Sequence, residues 1–401
     1  MKWIIAATAG LVVAGPACAQ EIKVKPLVDA RLRYEHVEQG GFATDSDAVT
    51  LRVRAGVQLT DGDWSVLAEG QGAIAIGRGY YDGLHGAATR PQISDPESVG
   101  LYRAQLQYRT KTLGVTVGRQ RIALDDERFV GPANFRQNGQ TFDAVRVEWT
   151  GVKHFKADLT YARGVRTIWG MDGFGARQSG ITGDNVFANL AYTTPIGTLS
   201  GFAYLVDQDE ALVQGFRLSS QSYGGRFAGS HALSKQVKLN YQASYARQSD
   251  YHRNPNSYDA DYYMVDGGIE VAPFKANVGY EVLGASSGVA LTSFQTPDAT
   301  LFKFNGWADK FTTTPPDGLR DLYGTLGYGL KQLGPFKALT LQATWHRFTS
   351  DRLVRHYGNE IDLLASAKLG RYTFSARYAD YDADLFATDT KKFWLQVDWA
   401  L

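Results

Sequence analysis

Apolar and polar residues alternate one by one along most of the chain after residue 26. Val237, Leu239, Tyr241, Ala243 and Tyr245 share one side of an extended segment, and Lys238, Asn240, Gln242 and Ser244 the other. Phe274, Ala276, Val278, Tyr280 and Val282 alternate in the same way with Lys275, Asn277, Gly279 and Glu281. Ile361, Leu363, Ala365 and Ala367 stand against Glu360, Asp362, Ser366 and Lys368. A period of two puts each set on one face of a strand, and runs of about 9–11 residues are what a tilted strand needs to cross hydrocarbon. A soluble sandwich also alternates, but it does not explain so many long strands with Lys and Glu on the polar face. Extended backbone crosses a membrane only in a closed barrel, where no N–H or C=O faces lipid unpaired. The pattern predicts an all-β fold, a transmembrane antiparallel up-and-down β-barrel of about 18 strands, an even number as bacterial barrels prefer.

The predicted strands begin near Leu27, Thr50, Trp64, Val99, Leu113, Thr141, Phe155, Gly183 and Thr198. The others begin near Ser220, Gln236, Ala260, Phe274, Arg320, Ala338, Gly358, Arg371 and Thr390. Asp61-Gly62-Asp63 and Pro195-Ile196-Gly197 read as tight turns, and Gly370 marks another. The other connections are longer and polar, at 36–49, 77–98, 122–140, 167–182, 207–219, 249–259 and 284–319. Outer-membrane barrels keep short turns in the periplasm and long loops outside, so both termini are expected to be periplasmic. The last strand, Lys392 to Leu401, sets Phe393, Leu395, Val397, Trp399 and Leu401 on one face. That face is similar to the signal read by the outer-membrane barrel assembly machinery, which usually ends in Phe.

The first 19 residues read as an export signal: Lys2, an apolar run from Trp3 to Gly15 too short to span a bilayer, and Ala17-Cys18-Ala19 before the cleavage point. Residues 20–401 are then one barrel domain of the bacterial outer membrane. A lipoprotein starting at Cys18 is the alternative, and Gly15-Pro16-Ala17 lacks the leucine it normally needs. Cleavage after Ala19 removes the only cysteine, which suits an exported, disulfide-free barrel. No later stretch holds the roughly 18 unbroken apolar residues of a membrane helix. The formal charge of +1 falls to zero when Lys2 leaves, so the chain is not a basic nucleic-acid binder.

The polar strand faces name the expected lumen lining. The first strand offers Asp29, Arg31, Arg33 and Glu35; the second, Arg52 and Arg54; the fourth, Arg103; the sixth, Arg146 and Glu148. Arginines in a pore wall favour anions and grip carboxylates through two parallel hydrogen bonds. Both roles are expected: Glu35, Glu69, Asp143 and Glu148 on the lumen side tie some of these arginines down and stiffen the wall, and the others stay free for the permeant. Each solvated contact is worth at most about 1 kcal/mol, weak enough for a permeant to be released. The segment 118–147 packs Arg119, Arg121, Arg128, Arg136 and Arg146 among Asp125, Asp126, Glu127 and Asp143. Its alternation slips near Arg119, which predicts a bulge or an early strand end. The loop it contains is expected to fold inward as a constriction, a solvated external loop being the alternative.

Three segments carry a family likeness. They are Arg31-Leu32-Arg33-Tyr34-Glu35; Gly118-Arg119-Gln120 through Asn134-Phe135-Arg136-Gln137 to Thr141-Phe142-Asp143-Ala144; and Phe304-Asn305-Gly306-Trp307-Ala308-Asp309-Lys310-Phe311 with Pro315, Gly318-Leu319 and Asp321 behind it. Together they resemble the alginate-export family of outer-membrane porins. The resemblance implies an 18-stranded barrel through which an anionic exopolysaccharide diffuses past Arg31, Arg33, Arg52, Arg54, Arg103, Arg119, Arg121, Arg136 and Arg146. It also implies periplasmic partners that deliver polymer, and a capping or inward loop carrying Trp307, Asp309 and Lys310. The chain is short for a secretion pore and its net charge is near zero. Uptake of small acidic sugars or organic acids therefore stands beside export.

Other signals point elsewhere. Gly284-Ala285-Ser286-Ser287-Gly288 matches a hydrolase nucleophile pattern, but that pattern needs a following helix and here a polar loop follows. The seven histidines show no metalloprotease spacing. A barrel-anchored enzyme or adhesin is the reading from a different class, and no catalytic trio supports it. Asp380, Asp382 and Asp384 alternate at a loop entrance, where they could share a structural Ca²⁺ that bridges to lipopolysaccharide, although an unliganded acidic loop has the same composition. Outer-membrane lipid, lipopolysaccharide and an anionic saccharide are the expected partners, with no other cofactor and no catalysis.

Overall fold

The computed structural model describes residues 22–401; the predicted export signal lies outside the described residues. The first nine strands are β1 (Lys23–Gln39), β2 (Ser46–Asp61), β3 (Trp64–Gly79), β4 (Ser98–Arg109), β5 (Leu113–Gln120), β6 (Thr141–Trp149), β7 (Phe155–Arg166), β8 (Gly180–Thr194) and β9 (Gly197–Val206). The second nine are β10 (Ser220–Ala232), β11 (Val237–Asp250), β12 (Asp259–Val271), β13 (Phe274–Leu283), β14 (Leu319–Leu333), β15 (Phe336–Thr349), β16 (His356–Leu369), β17 (Tyr372–Ala383) and β18 (Thr390–Ala400). Each strand pairs antiparallel with its sequence neighbours, and β1 pairs with β18 from Asp29↔Ala400 to Gln39↔Thr390, closing the 18-stranded sheet. Closure leaves no strand of the described residues at an open sheet edge.

Connections at one end run from 62–63 up to 150–154; those at the other include 80–97, 121–140, 167–179, 207–219 and 284–318. The first and last described residues, Ile22 and Leu401, lie at the short-turn end. The predicted strand order and loop alternation are those observed. Side-chain alternation sorts the two faces: Val265, Val278 and Leu326 are each more than 60% exposed on the outside, while Arg52, Arg54 and Glu281 are buried inside. So large an apolar belt marks a surface that meets hydrocarbon. Outward aromatics frame it, with Trp64, Tyr108, Trp149 and Phe274 toward the short turns and Tyr34, Tyr161, Tyr245 and Trp345 toward the long loops.

The lumen differs from a simple wet cylinder. Toward the long loops the inward positions Phe142, Phe187, Phe202, Tyr204, Tyr262 and Phe348 join Ile122, Leu124, Val130, Phe294 and Phe311 in a buried apolar cluster. These last five come from the 121–140 and 284–318 loops, which therefore fold into the barrel rather than over it. Two 3₁₀ turns, Gln214–Phe216 and Leu301–Lys303, are the helical elements among the described residues.

Candidate functional site

The site is the space that the two inward loops leave beside the wall. The 121–140 loop begins early because β5, at eight residues, is the shortest strand. Pairing between β5 and β6 runs without a slip to Gln120↔Phe142, so the irregularity near Arg119 is a strand end; the register slip lies next door, between Glu69 and Gly70 on β3 and β4. The loop then crosses the lumen. At its far side Arg128 Nε donates to Glu281 Oε1 on β13 at 2.6 Å, and its other nitrogens reach Thr296 Oγ1 (3.1 Å) and Asn305 Oδ1 (3.0 Å). On its near side Arg31 Nη1 of β1 donates to the carbonyls of Asn134 (3.0 Å) and Phe135 (2.9 Å), and Arg33 donates to Phe135 O as well.

The 284–318 loop locks onto the first. Phe302 stacks on Phe135 with ring centroids 3.3 Å apart, and Trp394 of β18 meets both edge-on. Ala308 N donates to Glu360 Oε1 at 2.7 Å, Asp309 accepts from Lys392 at 2.9 Å and pairs with Arg136. Gly306 has φ +82°, and a Cβ there would collide with the Glu360 carboxylate. Only glycine takes that backbone and that approach together.

These contacts set the loop charges. Burial lowers the Arg128 guanidinium, and Glu281 and Tyr262 more than offset it, leaving it above its ordinary value. Burial raises Asp309, but Lys392 and Arg136 outweigh it and hold the carboxyl below the usual range. Burial, reinforced by Lys392, brings the Lys310 ammonium down to about 8. Burial alone pushes Asp298 up to about 7.

The wall is divided by charge. Arg31, Arg33, Arg52, Arg54, Arg103, Arg377 and Lys392 lie on β1, β2, β4, β17 and β18, all at inward positions. Most are matched: Arg31 by Asp398 (2.7 Å), Arg33 by Asp95 (3.2 Å), Arg52 by Asp29 (2.6 Å), Arg103 by Glu69 (2.6 Å). Arg54 instead donates to Gln71 Oε1 at 2.7 Å and stacks 3.9 Å from the Tyr102 ring. Arg377 lies over Phe135 and Trp307 at 5.6 and 5.7 Å. Arg54, Arg377 and the exposed Arg121 have no carboxylate within 4.0 Å among the described residues. The adjoining sector, β13 to β16, carries Glu281, Asp321, Glu360 and Asp362, each 4% exposed or less, around His346.

The nominated residues thus divide. Arg31, Arg33, Glu35, Arg52, Arg54 and Arg103 share the basic wall; Arg136 joins it from the loop, 3.6 Å from Glu35. Arg146 and Glu148 face inward on β6, where Arg146 grips Asp158 at 2.6 Å. Arg119 and Asp143 do not line the lumen. They pair at 2.7 Å two residues beyond Val117 and Val145, on the barrel's outer face, because the alternation continues unbroken through β5. Trp307, Asp309 and Lys310 do lie on an inward loop. Asp380 and Asp382 sit on the outer face, Asp380 accepting from Tyr378 (2.9 Å), while Asp384 contacts His356 (3.1 Å). Among the described residues no three carboxylate, His or Cys side chains converge as a cation site. Sequence reasoning missed the lumen roles of Phe135, Phe302 and Trp394, and the convergence of the inward Glu281, Glu360 and Asp362 with Asp321; strand parity puts Trp394 opposite Phe393 and Leu395 and could have revealed it.

The barrel superposes on solved porin structures that differ widely in sequence. OpdQ of Pseudomonas aeruginosa matches with a TM-score of 0.71 at 14% identity, covering 94% of this chain and 98% of that one. OccAB4 of Acinetobacter baumannii matches with a TM-score of 0.71 at 12% identity over 94% and 98% of the two chains. OpdH (OccK5) of P. aeruginosa gives 0.69 at 12% identity with the same coverage. No curated protein sequence matches. The alginate export family matches residues 27–380. This chain, an outer-membrane β-barrel of porin type, belongs to the alginate export family.

Proposed function

We propose that the chain is a passive, anion-preferring outer-membrane channel for small acidic saccharides, with its long loops outside the cell and both termini in the periplasm. The observation that carries this reading is the surplus of arginine. Among the described residues Arg54, Arg121 and Arg377 have no carboxylate of their own; Arg54 is buried in the wall, whereas Arg121 is exposed and Arg377 partly so, and a permeant carboxylate can supply the missing partner. The paired arginines position the wall and the loops; the unpaired ones supply the selectivity. Size follows from the loops. Both are held by buried, charge-assisted contacts to β1, β13, β16 and β18, and a polymer would have to displace them. The fold and the family point to a channel rather than an enzyme.

The family match favours a second reading, outward passage of an anionic polymer delivered from the periplasm, which requires the loops to swing out. Osmotic swelling of proteoliposomes separates the two. Glucuronate should enter faster than glucose, and polyuronate should be excluded. Polymer passage through the native chain would overturn the size argument, and faster glucose the charge argument.

A further inference from the structure

On the long-loop side of the constriction lies a cavity of about 430 Å³, within the roughly 300–1,000 Å³ typical of small-molecule sites. Five loops contribute to it, and its floor carries Arg136, Lys310 and Lys392 beside the Phe135 and Phe302 rings. Trp169 lines its side. Two of the side chains that line it carry an orphaned oxygen. Gln208 Oε1 and Asp298 Oδ2 are buried and have no hydrogen-bond partner among the described residues, on side chains 4% and 2% exposed. Buried polar atoms are almost always satisfied, and those that are not call for a missing partner. Lys310 makes no ion pair among the described residues, whereas Arg136 and Lys392 are both held by Asp309. The cavity thus offers one uncommitted cation and two oxygens seeking hydroxyl donors, among aromatic rings.

We propose that this vestibule binds one residue of an acidic sugar, Lys310 meeting its carboxylate and Gln208 and Asp298 its ring hydroxyls. The proposal rests on the anion-channel reading and adds a station to it, where the solute is held before it reaches Arg54 and Arg377. Asp298, neutral below about pH 7, can donate as well as accept there. A neutral hexose would satisfy the two oxygens and leave Lys310 unused. An inorganic anion would do the reverse.

Single channels in planar bilayers test it, with D-glucuronate and glucose as probes. Glucuronate should interrupt the current at lower concentration than glucose. Lys310→Gln should weaken glucuronate block by about tenfold or more, the scale of a hydrogen bond to a charged group, and leave glucose block alone; Lys310→Arg should restore it. Gln208→Leu should weaken block by both sugars. Heat-modified gel mobility shows that each variant has folded. An anion-selective channel with no glucuronate block, or block indifferent to both substitutions, overturns the site and leaves the channel reading standing. A cation-selective native channel overturns both.

Discussion

Replacing Glu281 by leucine should free the 121–140 loop from the far wall. In the native chain the Arg128 and Glu281 side chains are only 3% and 5% exposed and share hydrogen bonds of 2.6 and 3.4 Å. Leucine leaves the guanidinium facing an apolar side chain, with Thr296 and Asn305 its remaining partners. Stranding one member of a buried ion pair costs about 3–5 kcal/mol. At about 1.4 kcal/mol per factor of ten, the pinned loop loses a factor of about 10²–10³ to states in which it lifts and Arg128 is hydrated. The 18 strand pairings are untouched, so the loss falls on the loop and not on the barrel. Single-channel recording should show larger mean conductance and rapid open-channel flicker, with unchanged heat-modified mobility. The double variant Arg128→Leu/Glu281→Leu removes the stranded guanidinium but still leaves the buried Tyr262 hydroxyl without the Glu281 oxygen it donates to at 2.7 Å, so it should be quieter than the single variant without returning fully to native behaviour. A Glu281→Leu channel as quiet as the native one, or a double variant noisier than the single, would refute the loop-pinning argument.

Chloride preference should fall as the pH rises from about 6 to about 9. Asp298 gains a negative charge above about 7 and Lys310 loses its positive charge above about 8, and both changes subtract from the vestibule's positive field. A reversal potential flat across that range contradicts this. Arg54→Gln should reduce chloride preference more than Arg103→Gln, because Glu69 already matches Arg103 while Arg54 is unopposed; equal shifts would remove Arg54 from the pathway. Gly306→Ala places a Cβ against the Glu360 carboxylate on a backbone with φ +82°, a strain of about 1–3 kcal/mol. Hydrogen exchange at the Ala308 amide, which donates to Glu360, should then speed up by about tenfold or more; an unchanged rate would count against that latch.

Strand positions were legible because the membrane imposes a period of two on every crossing, as in Val237–Tyr245, and because turn lengths alternate with it. Arg31, Arg33, Arg52 and Arg54 could be placed inward by the same parity. The family likeness places Arg119 in the pathway, whereas parity sets it with Val115 and Val117 on the outer face, where the structure has it. The acidic sector was not legible, since Glu281, Asp321, Glu360 and Asp362 are far apart in sequence and meet only through the register of β13 to β16. The aromatic stack beside the cavity was hidden for a related reason. Phe135, Phe302 and Trp394 come from two loops and the last strand, and nothing local in any of them specifies that they stack. Register and loop packing are properties of the closed barrel, whereas alternation is a property of each strand.

The zero-current potential of the native channel across a KCl gradient is the most direct measurement. Unopposed arginine beside the loops predicts a potential of the sign set by chloride. A potential of potassium sign, or none, would mean that the buried carboxylates govern the lumen and that the arginine wall is only structural.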